Sequence, residues 1–275
     1  MDPIDVAELA LSLTDVDPEL PSPARIYDFW LGGSQNFESD REVGRRAAAA
    51  MPTLTAGIRA NRAFLGRAVR HLVTGYGITQ FLDLGSGVPT VGNVHEVARE
   101  FDPSARVVYV DIDQVAVAHA RHLLAGVDGV VPILADLRRP ADVLEHPLVT
   151  GTLDLNRPIA ILMNAVLHFI PDSDDPAGIV RSYVDAAAPG SYLVLSHAAP
   201  DRTYLGAQTE SAKEYQDSTR VPFTFRDEAE ISGWLHGLEM EEPGLVELDR
   251  WRPDPGDERQ KILRGLGVLA LKRIR

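Results

Sequence analysis

The spacing of apolar positions changes near residue 78. Before it, apolar residues recur at helical spacing: the pattern predicts helices over Arg25–Leu31, Glu38–Ala50 and Gly57–Val73, with Gly75 and Gly77 closing the third. After it, short apolar runs alternate with amphipathic segments. Strands are predicted at Gln80–Leu84, Arg106–Val110, Val130–Ala135, Ile159–Val166 and Ser191–Ser196. Helices are predicted between them at Asn93–Glu100, Gln114–Leu124, Ala141–His146 and Ala177–Ala188. Asn93 and Glu96 have capping-box spacing. Such alternation implies βαβ units, a parallel sheet and helices on both faces. After Pro200 comes a polar stretch, then a helix near Asp227–His236. Two last strands, Leu245–Leu248 and Val268–Lys272, flank a turn at Arg252–Asp257 and read as an antiparallel hairpin at the sheet edge.

Composition narrows the classes. There are no cysteines, which excludes disulfide scaffolds, thiolate ligands and thiolate nucleophiles. A cytoplasmic setting is compatible with that. The formal net charge is −13, so a nucleic-acid partner is not expected, because such binding needs a basic footprint. Six of the acids fall in the first 22 residues, which hold no Lys or Arg and read as an acidic arm. That start lacks the basic region of a signal peptide, and no apolar run reaches the ~18 residues of a membrane span. His119 and His122 lie one turn apart without a third ligand, His95-Glu96 lacks a second His, and no GxSxG occurs, so neither a metal nor an acyl-transfer site is expected.

In open α/β sheets ligands bind beyond the carboxyl ends of the strands. Those ends carry Asp83-Leu-Gly85-Ser86-Gly87, Asp111-Ile112-Asp113, Ala135-Asp136-Leu137, Asn164 to His168, and Ser196-His197. The glycines permit a tight turn close to a ligand. Asp111 stands where an acid meets a ribose in nucleotide-binding units, and Asp136 is placed to accept from an exocyclic amine. Any one acid alone would be an ordinary strand-end turn former; three at consecutive ends point to an adenosine. A pyrophosphate is disfavoured: Thr90 replaces the third glycine of GxGxxG, and Asn93-Val94 replaces the Lys and hydroxyl of a phosphate loop. No Lys or Arg lies between Asp83 and Glu96, which suits an adenosine without a phosphate tail.

Asp83-x-Gly85-x-Gly87, Asp111 and Ala135-Asp136 resemble motifs of class I S-adenosylmethionine-dependent methyltransferases. Pro23–Gly33, Ala60–Leu65, Gln80–Pro89, Gly92–Ala98 and Val166–Asp172 resemble an actinobacterial S-adenosyl methyltransferase family, formerly a domain of unknown function, over about residues 20–273. The resemblance implies a Rossmann-like class I methyltransferase sheet of seven strands with the last hairpin antiparallel. It also implies S-adenosyl-L-methionine as cofactor and a small-molecule acceptor. Pro89 departs from the general class, where a third glycine is common.

The chain is thus expected to hold an acidic arm (1–22), a helical cap or lid (23–77) and a cofactor-binding α/β domain (78–275). Cofactor contacts are expected from Asp83, Gly85, Ser86, Gly87, Pro89, Asp111, Ile112, Asp136, Leu137 and Asn164. From the cap, Tyr27, Gly32 and Gly33 are expected at the site, and Arg25 is expected to pair with the cofactor carboxylate. Tyr27, Trp30 and Phe37 flank the glycine pair as a cover for the cofactor, or else Tyr27, Trp30 and Leu31 form the apolar face that docks the cap; Asn36 and Asn61 are further polar candidates. His168 is the candidate general base, against the commoner structural role of a lone His. Two other readings stand beside the enzyme: a non-catalytic module binding the cofactor or its demethylated product, and a nicotinamide-dependent reductase, which the missing GxGxxG disfavours.

Overall fold

A computed structural model describes residues 16–90, 92–256 and 261–273. Most of the acidic arm lies outside the described residues. Among the described residues three helices come first: α1 (Pro23–Leu31), α2 (Glu38–Ala50) and α3 (Leu54–Tyr76). Then follow β1 (Gln80–Leu84), α4 (Val94–Arg99), β2 (Arg106–Asp111), α5 (Gln114–Leu123) and β3 (Val130–Leu134). The chain continues through α6 (Pro140–Leu144), α7 (Pro147–Thr152), β4 (Ala160–Asn164), α8 (Pro176–Ala186) and β5 (Tyr192–Ala198). It ends with α9 (Leu205–Thr219), α10 (Glu228–Trp234), β6 (Glu239–Met240), β7 (Val246–Glu247) and β8 (Gly265–Leu271).

The sheet runs β3-β2-β1-β4-β5-β8-β6, and β7 also pairs with β8. The first five strands are parallel; β8 is antiparallel to β5, β6 and β7. Strand order reverses between β1 and β4, which opens a crevice at their carboxyl ends. Every residue of β1 is buried, as expected of a strand covered on both faces. One core holds Val143, Val149, Ile179, Val180, Tyr183 and Ile231 against the sheet; the other holds Phe64, Leu65, Ala68, Val69, Leu72, Val94 and Ala98. No helix among the described residues is long and apolar enough to cross a membrane.

Three expectations change. Among the described residues the sheet has eight strands, not seven, because the edge strand is split in two. Pro243 has no N–H to give the ladder, and Gly244 donates back to Glu241 O at 2.7 Å in a turn between the halves. The polar stretch after Pro200 is a 15-residue helix, α9, whose buried side includes Gln208, Ser211 and Thr219. Apart from Tyr215 its buried side chains are polar, so hydrophobic periodicity could not reveal it. And α3, expected within the cap, packs Phe64, Leu65, Ala68, Val69 and Leu72 into the sheet core. The layer lying over the strand ends is α1, α2 and α9, where Ile26, Val43 and Tyr215 meet.

The cap is fastened by buried ions. Arg25 is 4% exposed. Its Nε donates to Asp40 Oδ2 at 2.8 Å, Nη1 to Asp113 Oδ2 at 3.2 Å and Nη2 to Leu20 O at 2.6 Å. Asp40 also accepts from the N–H groups of Ser22 and Phe37, both at 2.8 Å, and Asp113 caps α5 by accepting from Val115 and Ala116 N–H. Removing one member of a buried pair strands the other's charge, at about 3–5 kcal/mol. Arg25→Met is therefore expected to lower the urea unfolding free energy by about 3–5 kcal/mol. A loss within the scatter of an exposed substitution such as Arg139→Met would contradict this role.

Candidate functional site

The crevice between β1 and β4 opens into a cavity of about 440 Å³, roofed by α1, α2 and α9. That volume is in the range of small-molecule sites. Its wall includes Tyr27, Asp83, Gly85, Ser86, Gly87, Asp111, Ile112, Asp136, Leu137, Asn164 and His168, all expected from sequence.

After β1 the chain turns sharply. Gly85 has φ +73°, and a Cβ there would lie 2.2 Å from Val166 Cγ2, so only glycine fits beneath the loop after β4. Gly85 and Ser86 N–H both donate to Val110 O, at 2.8 and 3.1 Å. The loop is thus hooked onto β2. Asp111 takes Gly87 N–H at 2.7 Å on one oxygen and Asp113 N–H at 2.8 Å on the other. Burial, reinforced by nearby Asp113, pushes the Asp111 carboxyl up to about 6. Burial likewise pushes Asp83 up to about 7, against the pull of Arg62. Among the described residues, neither carboxylate is within ion-pair distance of a cation. Ile112, beside them, is 62% exposed and forms part of the cavity wall. Asp136 is held by Arg138, which reaches both oxygens from Nε at 3.0 Å. Partial burial would raise its pKa, but the Arg138 contacts hold it below the usual carboxylate range.

A polar chain crosses the cavity from cap to sheet. Tyr27 OH donates to Ile58 O at 3.4 Å and accepts from Asn61 Nδ2 at 2.8 Å. Ser196 Oγ lies 2.6 Å from Asn61 Oδ1 and 2.7 Å from Asn164 Oδ1, and accepts Ala165 N–H at 2.9 Å. One hydroxyl hydrogen cannot serve two carbonyls. The bonds all close if the Asn164 amide is turned so that Nδ2 donates to Ser196 and Oδ1 is left as a cavity-wall acceptor. The signal in sequence was a polar Asn ending an apolar strand; its partner, Ser196, was not legible there.

The far end is aromatic. His168 is 7% exposed, and its Nδ1 is buried without a partner. Phe169 and Phe223 lie 4.3 and 4.6 Å from its ring. Burial, with His197 and Arg226 nearby, holds His168 well below the usual imidazole pKa, so it is neutral at pH 7. Behind it, His197 Nε2 accepts from Arg226 Nη1 at 3.2 Å and Nδ1 donates to Ala198 O at 2.8 Å, with burial lowering His197 to about 4.

Four expected residues are not in the wall. Arg25 is committed to Asp40, Asp113 and Leu20 O, so it is not placed to meet a ligand carboxylate. Gly32 caps α1, and Gly33 exists because a Cβ there would sit 1.9 Å from Asp28 Oδ1. Asp28 in turn accepts from Gln35 N–H and Asn36 Nδ2, which makes Asn36 part of the cap. Pro89 lies just past the wall residue Val88. Phe37 underlies Arg25, whose guanidinium sits 4.8 Å from the ring centroid. Arg62, Arg138, Arg220 and Arg264 do line the cavity. Among the described residues Arg62 makes no ion pair: its Nη2 donates to Thr90 Oγ1 at 3.3 Å, and its Nε is buried without a partner. Nothing in its spacing marked it. Among the described residues no group of three acidic or His side chains could hold a metal.

The profile of the S-adenosyl methyltransferase family matches residues 10–272. A DUF574 family protein from Streptomyces avermitilis MA-4680 is similar at 37% identity and TM-score 0.88, over 93% of this chain and 99% of that one. A Thermobifida fusca YX protein, provisionally described as a methyltransferase, is similar at 38% identity and TM-score 0.87, over 93% and 96%. The N-methyltransferase NodS of Bradyrhizobium japonicum WM9 shares the fold at 12% identity and TM-score 0.50, over 78% and 98%. No protein of curated function matches the sequence.

The raised acids have a measurable consequence. Between the usual carboxylate range and pH 6–7 the folded protein holds protons on Asp83 and Asp111 that the unfolded chain has released. These two groups therefore take stability from the ligand-free protein as pH rises from about 4 to about 7, against the buried imidazoles of His168 and His197, which add stability as pH rises. Between pH 5 and pH 8 the urea midpoint of Asp83→Asn should change in the stabilising direction relative to that of wild type. An equal change in the two proteins would show that Asp83 is ionised throughout.

Proposed function

Because the chain belongs to the S-adenosyl methyltransferase family, with methyl transfer from S-adenosylmethionine as its activity, we propose that the cavity over β1, β2 and β4 binds that cofactor and its small-molecule acceptor. The observation that carries this is the charge arrangement. Asp83 and Asp111 are buried carboxylates with no ion-pair partner among the described residues, and the guanidinium of Arg62, likewise without an ion pair among them, lies close enough to Asp83 to act on it. That donor and acceptor set suits a ligand carrying hydroxyls, an ammonium and a carboxylate.

In this reading Asp111 accepts the ribose hydroxyls on lone pairs left over from Gly87 and Asp113 N–H. Asp83 and Asn164 Oδ1 meet positive charge on the amino acid tail, and Arg62 pairs with its carboxylate. Ile112 covers one face of the adenine, while Asp136, keeping lone pairs beyond those Arg138 uses, meets its amine. When bound, the cofactor supplies a methyl on a sulfonium sulfur: the acceptor's lone pair forms the new bond as the methyl–sulfur electrons return to sulfur. The chain's contribution is alignment and exclusion of water. Tyr27 and Trp30 close the roof above it. His168 faces the acceptor. A neutral imidazole accepts a hydrogen bond well, but a full positive charge there would sit beside buried Arg226. We assign it orientation of the acceptor before proton removal. The moving part of the cap is proposed to be the α1–α2 layer, since α3 is fixed in the core.

Calorimetric titration with S-adenosylmethionine and S-adenosylhomocysteine tests the reading. Asp111→Ala should weaken both by more than about tenfold, since charged hydrogen bonds contribute ~1.5–3 kcal/mol each. Arg62→Met should weaken S-adenosylhomocysteine about tenfold and leave adenosine, which has no carboxylate, unchanged. Folded protein that binds neither compound, or an Asp111→Ala variant that binds as wild type, would overturn it.

A further inference from the structure

We propose that the acceptor is a planar aromatic molecule carrying a hydroxyl group, lying against Phe169, Tyr215 and Phe223 and donating that hydroxyl to the imidazole of His168. The proposal rests on the methyltransferase reading above and adds the acceptor's class to it.

The first observation is position. Asp111 ends β2 and Asp136 follows β3, whereas His168 and Phe169 follow β4. In the order β3-β2-β1-β4-β5, β2 and β4 are two strand spacings apart, roughly 10 Å, and β3 and β4 three, roughly 14 Å. The aromatic compartment is thus a separate end of one cavity, on the far side of the Gly85 turn from the adenosine contacts.

The second is composition. The side chains that turn this end into a compartment are rings. Tyr215 is near-parallel to both Trp30 and Phe169, at interplanar angles of 24° and 19°. Their centroids, 6.5 and 6.2 Å apart, are too close to admit another ring between them, so a ligand lies along their open faces and edges. Phe223 packs edge-on to Tyr215 and Phe169 at 5.7 and 5.5 Å. Flat surfaces of this kind favour a flat guest, through offset and edge contacts that a puckered ring makes poorly.

The third is an unmet hydrogen bond. Buried polar atoms nearly always have partners. His168 is more than nine-tenths buried in the cavity wall; its Nδ1 is sealed off without a partner, and among the described residues no hydrogen bond engages its Nε2, the nitrogen left for a ligand to reach. Its neighbours Phe169 and Phe223 offer none, while His197 is already engaged on both nitrogens by Arg226 and Ala198. A neutral imidazole can accept one hydrogen bond, and a ring hydroxyl is the donor that comes with a planar apolar body.

The test uses full-length protein and three probes: 2-naphthol, 2-methylnaphthalene, which lacks the hydroxyl, and decahydro-2-naphthol, which lacks the aromatic rings. Affinities are read by competition and by quenching of protein fluorescence, with and without saturating S-adenosylhomocysteine. 2-Naphthol is expected to bind at least tenfold more tightly than either comparator. In His168→Phe the advantage over 2-methylnaphthalene should disappear, while the advantage over decahydro-2-naphthol remains. S-adenosylhomocysteine affinity should be unchanged in that variant. Equal binding of the three probes to wild type, or no 2-naphthol binding, overturns the acceptor assignment even where S-adenosylhomocysteine binds. Loss of S-adenosylhomocysteine binding by wild type instead overturns the parent reading. The wild-type comparison stands whether or not His168→Phe folds.

Discussion

A guanidinium removed from water must be matched almost completely by carboxylate and carbonyl oxygens, and Arg25 is matched by groups from three parts of the chain. Asp40 comes from α2, Leu20 O from the segment before α1, and Asp113 from the loop that follows β2. The same Asp113 caps α5 and lies next but one to Asp111. One buried charge therefore sets the height and angle of the cap over the strand ends. Tyr27 and Trp30 are placed by it. They lie one turn apart on α1, and with Arg25 committed on the inner side, they are presented to the cavity. In the polar chain from Tyr27 through Asn61 to Ser196, Asn61 and Ser196 belong to the core elements α3 and β5, and Tyr27 alone depends on the cap.

The sheet was largely legible in the sequence, since buried parallel strands read as uninterrupted apolar runs. Gln80–Leu84 and Glu38–Ala50 fall where their patterns placed them. The capping box at Asn93 and Glu96 is present, with Asn93 N–H donating to Glu96 at 2.8 Å. What failed was anything whose logic is three-dimensional. A polar-faced helix such as α9 carries no periodic signal. The split of the edge strand depends on one proline. Arg25 is the cation the sequence offers, because a charge states what it needs and not which partner is near. Arg25 has its ion-pair partners within the protein, whereas Arg62, which the sequence did not single out, makes no ion pair among the described residues.

The same limit applies to acids and imidazoles. Asp83, Asp111 and Asp136 all lie at or just past the carboxyl ends of strands, yet burial raises two of them while Arg138 holds the third low. His168 and His197 lie at the ends of adjacent strands. One has both nitrogens satisfied, and the other does not. These differences follow from depth and neighbours, which residue type and spacing do not encode.

The Gly85 hook has a further consequence. It joins β1 to β2 through backbone atoms, so the geometry on that side depends little on which side chains surround it. The opposite end is bounded by side chains on α1, α9 and the segment around Phe223. Part of that boundary is fastened from outside by the Arg46–Glu214 ion pair on the surface. The molecule is therefore divided into a half that substitution can scarcely reshape and a half that substitution reshapes readily. Variation can explore new guests at one end while inheritance keeps the other, and a single scaffold can diversify without relearning how to fold.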